Sequence, residues 1–212
     1  MVEPVKTLDA DTVRERLAAV REQAGDNVEI LVATKYVPLE LMPELAKAGV
    51  KLVGENRLQD LEAKHDLYAD DFRWDFIGTV QSRKVPRIAA RVGRIHSIDS
   101  HSAMAKLAAA AENGHRPEIL IQVNVAGEEG KSGVDPDELP GLIEACPLPV
   151  QGLTTMPPLA DKPEDSRRWF AKLAELADRH GLTQLSMGTS QDWPVAVEEG
   201  ATIIRLGSSL LR

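Results

Sequence analysis

Short apolar runs alternate with amphipathic runs along almost the whole chain. The apolar runs are rich in Val, Ile and Leu and are bounded by Gly, Pro or polar residues, which is typical of buried β-strands. Eight such runs are predicted to be strands. They lie at positions 28–35, 51–56, 73–78, 94–99, 118–125, 150–156, 184–188 and 202–207.

The segments between these strands have apolar residues at a spacing of three or four, which predicts amphipathic helices. Most are predicted to be short, and an additional helix in the first 25 residues precedes the first strand. The helices that follow strands are predicted at positions 38–48, 57–68, 81–92, 102–113, 137–145, 163–180 and 193–200.

Alternation of strands with helices predicts parallel pairing, because each helical crossover returns the chain to the same edge of the sheet. Eight consecutive units favour an α/β protein of the closed (β/α)₈ TIM type over an open, doubly wound sheet. No linker, repeat or low-complexity tract divides the chain. Residues 1–212 are therefore predicted to form a single barrel domain with an extra N-terminal helix.

Charge and cysteine content narrow the class of protein. The chain has 25 basic and 33 acidic residues, a formal net charge of −8, and no basic run longer than Arg167–Arg168. This argues against nucleic acid or an anionic membrane as a partner. Neither a signal peptide nor an apolar run of about 18 residues is visible. With Cys146 as the only cysteine, no internal disulfide forms, and we expect a cytoplasmic protein.

Polar and Gly-rich residues follow the predicted strands, and active sites of this fold lie at the carboxyl ends of the strands. Lys35 ends the first apolar run. We expect its stem to lie among apolar neighbours, where loss of hydration disfavours the ammonium and favours the amine that attacks carbonyl groups. Two roles remain open: a lysine that forms a Schiff base, and a structural lysine paired with Glu55.

The last two loops have the composition of a phosphate site. SMGTS (186–190) and RLGSS (205–209) combine small residues with hydroxyl groups, and in this fold the loops after strands seven and eight often bind phosphate. Ordinary turn and cap chemistry uses the same residue types. Arg205 is flanked by apolar residues and needs a partner. That partner is either a carboxylate such as Glu55 or an acceptor on a ligand.

The histidines do not have the spacing of a metal site, and no metal is predicted. They are His65, His96, His101, His115 and His180. His96 lies in a predicted strand, and we interpret it as a packed strand residue rather than as a catalytic base.

Eight segments, spread in order over nearly the whole chain, carry a resemblance to a known family. They are LVATKYVP (31–38), GENRLQD (54–60), WDFIGTVQSRK (74–84), IHSIDS (95–100), QVNVAGEEGKSG (122–133), GLTTM (152–156), LSMGTSQDW (185–193) and IRLGSS (204–209). With these segments the chain resembles the pyridoxal-phosphate homeostasis proteins, which are relatives of the barrel domain of alanine racemase.

The resemblance implies that pyridoxal 5′-phosphate (PLP) is bound, in a Schiff base with Lys35. Asn56 would lie beside the cofactor ring, and Arg205 would face the pyridine nitrogen. Three residues of the last two loops would bind the phosphate. They are Ser190, Gly207 and Ser208.

Two positions depart from the family pattern. Thr34 stands before the lysine where Ser is common, and Thr79 stands where His is common after strand three. We therefore assign no role to Thr79. Neither departure affects the residues expected to anchor the cofactor.

The resemblance implies a non-catalytic carrier or buffer that holds PLP and releases it transiently to apoenzymes. We expect a monomer. An amino-acid racemase is the main alternative, but it needs a base opposite Lys35, and the only tyrosines are Tyr36 and Tyr68. A Schiff-base aldolase would fit the lysine and the phosphate loops equally well. Its colourless protein would distinguish it from a yellow PLP protein.

Overall fold

The computed structural model describes residues 4–212. Within them, eight parallel strands close into a barrel in sequence order. The strands are β1 (Glu29–Ala33), β2 (Leu52–Glu55), β3 (Arg73–Phe76), β4 (Arg94–Ile98), β5 (Glu118–Gln122), β6 (Val150–Thr154), β7 (Gln184–Thr189) and β8 (Ile203–Leu206). The barrel closes between β1 and β8, where Leu31 lies opposite Arg205. The predicted (β/α)₈ barrel is confirmed.

Helices occupy the connections and both ends of the described chain. They are α1 (Ala10–Ala24), α2 (Met42–Lys47), α3 (Leu58–Tyr68), α4 (Val85–Ala89), α5 (His101–Glu112), α6 (Leu139–Ala145), α7 (Arg167–Arg179), α8 (Trp193–Glu198) and α9 (Ser208–Leu211). The extra N-terminal helix is α1, whose first turn is capped by Asp9 accepting from the Thr12 N–H at 2.8 Å. Between residues 4 and 212, every helix is too short or too polar to cross a bilayer.

Three of the predicted helices begin with a 3₁₀ turn, at Leu39–Leu41, Ser82–Lys84 and Pro163–Ser166, and become α-helical only in α2, α4 and α7. Pro43 and Pro86 lie in the first turns of α2 and α4. Proline has no N–H and clashes with the preceding turn, so an α-helix starts at it rather than running through it.

Every strand except β7 ends earlier than predicted, and for β1 this changes the setting of Lys35. Strand β1 ends at Ala33, so Lys35 lies in the turn that follows rather than in the strand. Helix α9 was not predicted. It begins directly after Gly207 and packs against α1, where the Arg16 guanidinium donates to the Leu210 carbonyl at 3.2 Å.

The apolar core has two parts because alternate residues of a strand face opposite sides of the sheet. The larger part fills the space between the barrel and its helices. The smaller part lies inside the barrel and is made of Leu31, Leu52, Leu120 and Ile203. Arg205 lies two residues beyond Ile203 on the same face of β8, so the interior becomes polar towards the carboxyl ends of the strands.

Candidate functional site

A cavity of about 1210 Å³ opens at the carboxyl ends of the strands. It forms there because parallel strands bring all their carboxyl-terminal loops to one end of the barrel. All six residues predicted to bind the cofactor line its wall. They are Lys35, Asn56, Ser190, Arg205, Gly207 and Ser208.

Lys35 has an exposed side chain at the rim of the cavity. Its Nζ lies 5.0 Å from the centroid of the Tyr36 ring, and a cation over an aromatic face is attracted to it. The expectation that the lysine stem is buried among apolar neighbours is therefore wrong, because the turn after β1 carries the side chain out of the sheet. An exposed amine is accessible to a carbonyl ligand that enters from solvent.

Glu55 was a possible partner for Lys35 or for Arg205, and both pairings are wrong. Glu55 is fully buried, and its Oε1 accepts from the Lys64 ammonium and from the Thr34 hydroxyl, at 2.6 Å for the latter. The Lys64 Nζ also donates to the Thr34 carbonyl at 2.7 Å. We call these three residues the buried Lys64 network. It holds the peptide that directly precedes Lys35.

Lys64 was not singled out from the sequence, although a signal was present. It follows Leu58 and Leu61 at a spacing of three on the buried face of α3. A lysine on the apolar stripe of an amphipathic helix needs a buried partner of opposite charge.

Asn56 follows β2 at the wall of the cavity. Its Oδ1 is buried and has no hydrogen-bond partner within residues 4–212. The backbone of Gly78 approaches so closely that a Cβ there would lie 2.0 Å from the Asn56 carbonyl oxygen. Any other residue at 78 would displace the Asn56 segment. The unpaired amide oxygen is an acceptor available to a ligand.

Donors converge on Ser190 in the loop after β7. The Ser190 Oγ accepts from the Gly207 N–H at 3.1 Å and from the Ser209 N–H at 3.2 Å, and the Ser209 Oγ lies 3.0 Å away. Ser208 lines the same part of the cavity. Backbone N–H groups and hydroxyl groups that point to one place form a site suited to an anion.

Asp192 fixes the shape of the loop that carries Ser190. Its Oδ1 accepts from the Thr189 N–H at 2.7 Å, and its Oδ2 accepts from the Ser166 hydroxyl at 2.9 Å. Gly188 has φ +89°, and a Cβ there would lie 2.6 Å from the Ala196 Cβ. The loop therefore requires glycine at 188 and turns the Asp192 carboxylate towards its own backbone.

Arg205 is buried at the inner end of the cavity, and its acceptors among residues 4–212 are uncharged. Its Nη1 donates to the Thr154 Oγ1 at 2.8 Å and to the Oγ and the carbonyl oxygen of Ser186, each at 2.6 Å. Its Nη2 donates to the Thr155 carbonyl at 2.8 Å and to the Met156 Sδ at 3.0 Å. Burial lowers the pKa of Arg205 to about 10, so the guanidinium remains protonated at neutral pH.

The chain is similar to known proteins over nearly its whole length. Residues 8–211 match the family model described as alanine racemase, N-terminal domain. The pyridoxal phosphate homeostasis protein of Aquifex aeolicus is 41% identical, and the match covers 93% of this chain and 93% of that protein. The protein of the same name from Pseudomonas aeruginosa is 35% identical, with 95% and 94% covered.

The fold of the chain is also similar to that of solved structures. PipY of Synechococcus elongatus PCC7942, solved without PLP, has a TM-score of 0.84 and 35% identity, covering 94% of this chain and all of that one. The same protein with PLP bound has a TM-score of 0.83 and 34% identity. Alanine racemase of Clostridium difficile, at 13% identity and a TM-score of 0.75, shows the shared fold alone. The chain belongs to the pyridoxal phosphate homeostasis protein family, whose barrel is that of the alanine racemase N-terminal domain.

Proposed function

We propose that this chain binds PLP at the barrel mouth, as a Schiff base on Lys35, and takes part in PLP homeostasis as a carrier or buffer. One observation carries the proposal. A single cavity brings together an accessible lysine amine, a cluster of N–H and hydroxyl donors, and a buried arginine. In support, a relative that covers 94% of this chain has been solved with PLP bound.

The donor cluster around Ser190 is proposed to hold the phosphate. A phosphate accepts hydrogen bonds from backbone N–H groups and hydroxyls together. The Gly207 and Ser209 N–H groups already converge on Ser190, and the Ser208 side chain lines the same wall. The Asp192 carboxylate of the same loop accepts from the Thr189 N–H and the Ser166 hydroxyl, and so faces those donors rather than the cluster.

Asn56 and Arg205 are proposed to orient the ring of the cofactor. The unpaired Asn56 Oδ1 is an acceptor for the ring hydroxyl. Arg205 is proposed to face the pyridine nitrogen. When bound, PLP supplies an electrophilic carbonyl carbon and a ring that withdraws electrons. An arginine keeps its own proton and leaves the pyridine nitrogen largely unprotonated, which weakens the ring as an electron sink.

A carrier is favoured over a racemase because a racemase needs a second base. Tyr36 lies under the Lys35 amine, on the same side as the lysine rather than opposite it. Tyr68 ends α3, and its carbonyl accepts from the Trp74 Nε1 at 3.4 Å in the outer layer. Neither tyrosine is placed to serve as the second base.

We propose that the whole chain acts as one PLP-binding domain, as a monomer in the cytoplasm, and passes PLP to apoenzymes in transient contacts. The exposed Lys35 and the single cysteine, Cys146, are consistent with this role.

Reductive trapping tests the attachment point. Borohydride reduction of the PLP-loaded protein converts a Schiff base into a stable secondary amine, and peptide mass mapping then locates the pyridoxyl group. We expect it on Lys35, because this amine is exposed at the cavity. Lys64 serves as the internal control, since its ammonium is buried in ion pairing with Glu55. A pyridoxyl group on any other lysine would overturn the assignment.

Deuterium exchange separates a carrier from a racemase. The PLP-loaded protein is incubated with alanine in deuterium oxide, and incorporation at Cα is followed by NMR. We expect no incorporation at a rate typical of enzyme turnover, about 1 s⁻¹ or more, because neither tyrosine is placed to serve as the second base. Incorporation at such a rate that disappears in Lys35→Ala would support the racemase instead.

A further inference from the structure

Four buried polar side chains form a continuous chain of hydrogen bonds across the barrel interior. The Arg205 Nη1 lies 2.6 Å from the Ser186 Oγ, which lies 2.8 Å from the His96 Nδ1. The His96 Nε2 lies 2.9 Å from the Asp75 Oδ2. These residues come from β8, β7, β4 and β3, and none is more than 7% exposed. We call this chain the Arg205–Asp75 relay.

The direction of each hydrogen bond follows from the chemistry of its members. A guanidinium only donates, so the Ser186 oxygen accepts from Arg205 and uses its own proton to donate to the His96 Nδ1. The His96 Nε2–H then donates to the Asp75 carboxylate, which only accepts. Burial outweighs the effect of Asp75 and lowers the pKa of His96, so the imidazole is neutral at pH 7. Each hydrogen bond of the relay therefore has one defined donor and one defined acceptor.

The order Ser186, His96, Asp75 is also that of a nucleophilic triad, but the setting excludes this role. Ser186 is fully buried and His96 is 1% exposed. The Ser186 oxygen already accepts from a guanidinium that lies between it and the cavity. A carbonyl substrate has no path to the hydroxyl, so a different role is required.

One side of Arg205 is bound more firmly than the other. The Nη1 donates to the Ser186 hydroxyl of the relay, to the Ser186 carbonyl and to the Thr154 hydroxyl, whereas the Nη2 donates to a carbonyl and to the Met156 sulfur. A thioether is the weakest acceptor in this set. The Nη2–H that points to Met156 is therefore the donor most readily given to a ligand in the cavity, while the Nη1 keeps the guanidinium in place.

We propose that His96 and Asp75 are positioning residues for the PLP ring: through Ser186 they hold the Arg205 guanidinium in the orientation that leaves one Nη2–H for the pyridine nitrogen. This inference rests on the proposed function. The relay also places a negative charge, that of the Asp75 carboxylate, at its far end from the positively charged Arg205 guanidinium. Asp75 is itself steadied by the Arg94 Nη1 at 3.5 Å.

A double-mutant cycle tests whether His96 acts through Ser186. Ser186→Ala cuts the relay by removing one hydroxyl, and His96→Leu removes the imidazole. We expect each to weaken PLP binding about tenfold, the loss of one hydrogen bond to a charged group. The double variant should bind PLP as tightly as the single variant with the lower PLP affinity, because either change alone already interrupts the relay. If the two single losses of PLP affinity multiplied in the double variant, the residues would act independently and the proposal would be overturned.

Two further variants separate positioning from packing. His96→Gln offers a carbonyl oxygen to Ser186 and an amide N–H to Asp75. It should therefore bind PLP within about twofold of the wild-type affinity, a smaller loss than that of one hydrogen bond. Leu120→Ala removes packing from the same interior without touching the relay, and should leave PLP affinity unchanged. Equal losses in His96→Leu, His96→Gln and Leu120→Ala would mean a structural role only. Ser186→Ala alone tests the relay if His96→Leu does not fold.

A measurement without PLP distinguishes failure of the relay from failure of the proposed function. Nitrogen-15 NMR resolves the Nη groups of an arginine whose guanidinium rotates slowly, and Arg205→Lys assigns the signals. We expect separate Nη signals for Arg205 in the wild type and in His96→Gln, and faster exchange between these signals in His96→Leu. Unchanged signals in His96→Leu would overturn the relay. Expected NMR behaviour in a protein that does not bind PLP would overturn only the proposed function.

Discussion

Replacement of Lys35 by alanine is expected to abolish the yellow colour of the PLP-loaded protein and to weaken PLP binding about 100-fold, a loss of about 2.7 kcal/mol. The colour requires the covalent bond to the lysine. The donors around Ser190 that we propose to bind the phosphate remain in the variant, so we expect binding to be weakened rather than eliminated. Absorption spectra and a titration with PLP measure the two effects.

Lys35→Arg is the matched control for this prediction. Arginine keeps the positive charge over the Tyr36 ring, but its guanidinium does not form a Schiff base with PLP. We expect it to be as colourless as the alanine variant. Both variants should unfold at the wild-type urea concentration, because the Lys35 side chain is exposed. A yellow Lys35→Arg protein would show that another amine holds the cofactor.

Lys64→Met is expected to cause the largest loss of stability among single changes near the site. It removes the ammonium that pairs with the fully buried Glu55 carboxylate, and breaking a buried ion pair from one side costs about 3–5 kcal/mol. Among residues 4–212, the Thr34 hydroxyl is then the one remaining donor to the Glu55 carboxylate. Such a loss is a large part of a typical domain stability of about 5–15 kcal/mol. Urea unfolding measures it.

Two controls make the Lys64 prediction specific. Lys47→Met removes the same side chain from an exposed pair with Glu44, and should change the free energy of unfolding very little. The double variant Lys64→Met/Glu55→Leu removes both charges and should recover most of the stability, because a buried pair is often replaceable by apolar residues. No recovery in the double variant would mean that shape, not charge, governs this position.

The barrel and the position of the site were predictable from sequence because both depend on local patterns. Short apolar runs define the strands, and polar residues directly after them meet at one end of a parallel barrel. Lys35, Ser190 and Gly207 could therefore be placed at a common mouth from their positions alone. The family resemblance then gave the ligand that these positions are expected to bind.

The partners of the buried charged residues could not be predicted in the same way. Glu55 was placed near Lys35 or Arg205 because all three lie near strand ends. In the structure its side chain faces the helix layer and meets Lys64, nine residues later in the chain. The His96 contacts join residues separated by 21 and 90 positions. Pairings at such distances depend on strand stagger, which local periodicity does not determine.

The departures from the family pattern now have local explanations or partners. Thr34 keeps the hydroxyl that serine would supply, and uses it on Glu55. The Thr79 Oγ1 lies 3.3 Å from the Ser132 Oγ at the exposed rim. Neither substitution removes a group of the donor cluster around Ser190, where we propose that the phosphate binds.

The Arg205–Asp75 relay has a consequence for how the barrel assembles. Inner and outer faces alternate along every strand, so a slip of one residue between two strands exchanges the sides on which their side chains lie. A slip of β3 or β4 would carry Asp75 or His96 into the apolar layer beneath the helices and leave the other relay members unpaired. Unpaired buried polar groups are costly. The relay therefore penalises wrongly staggered barrels that an all-leucine interior would tolerate.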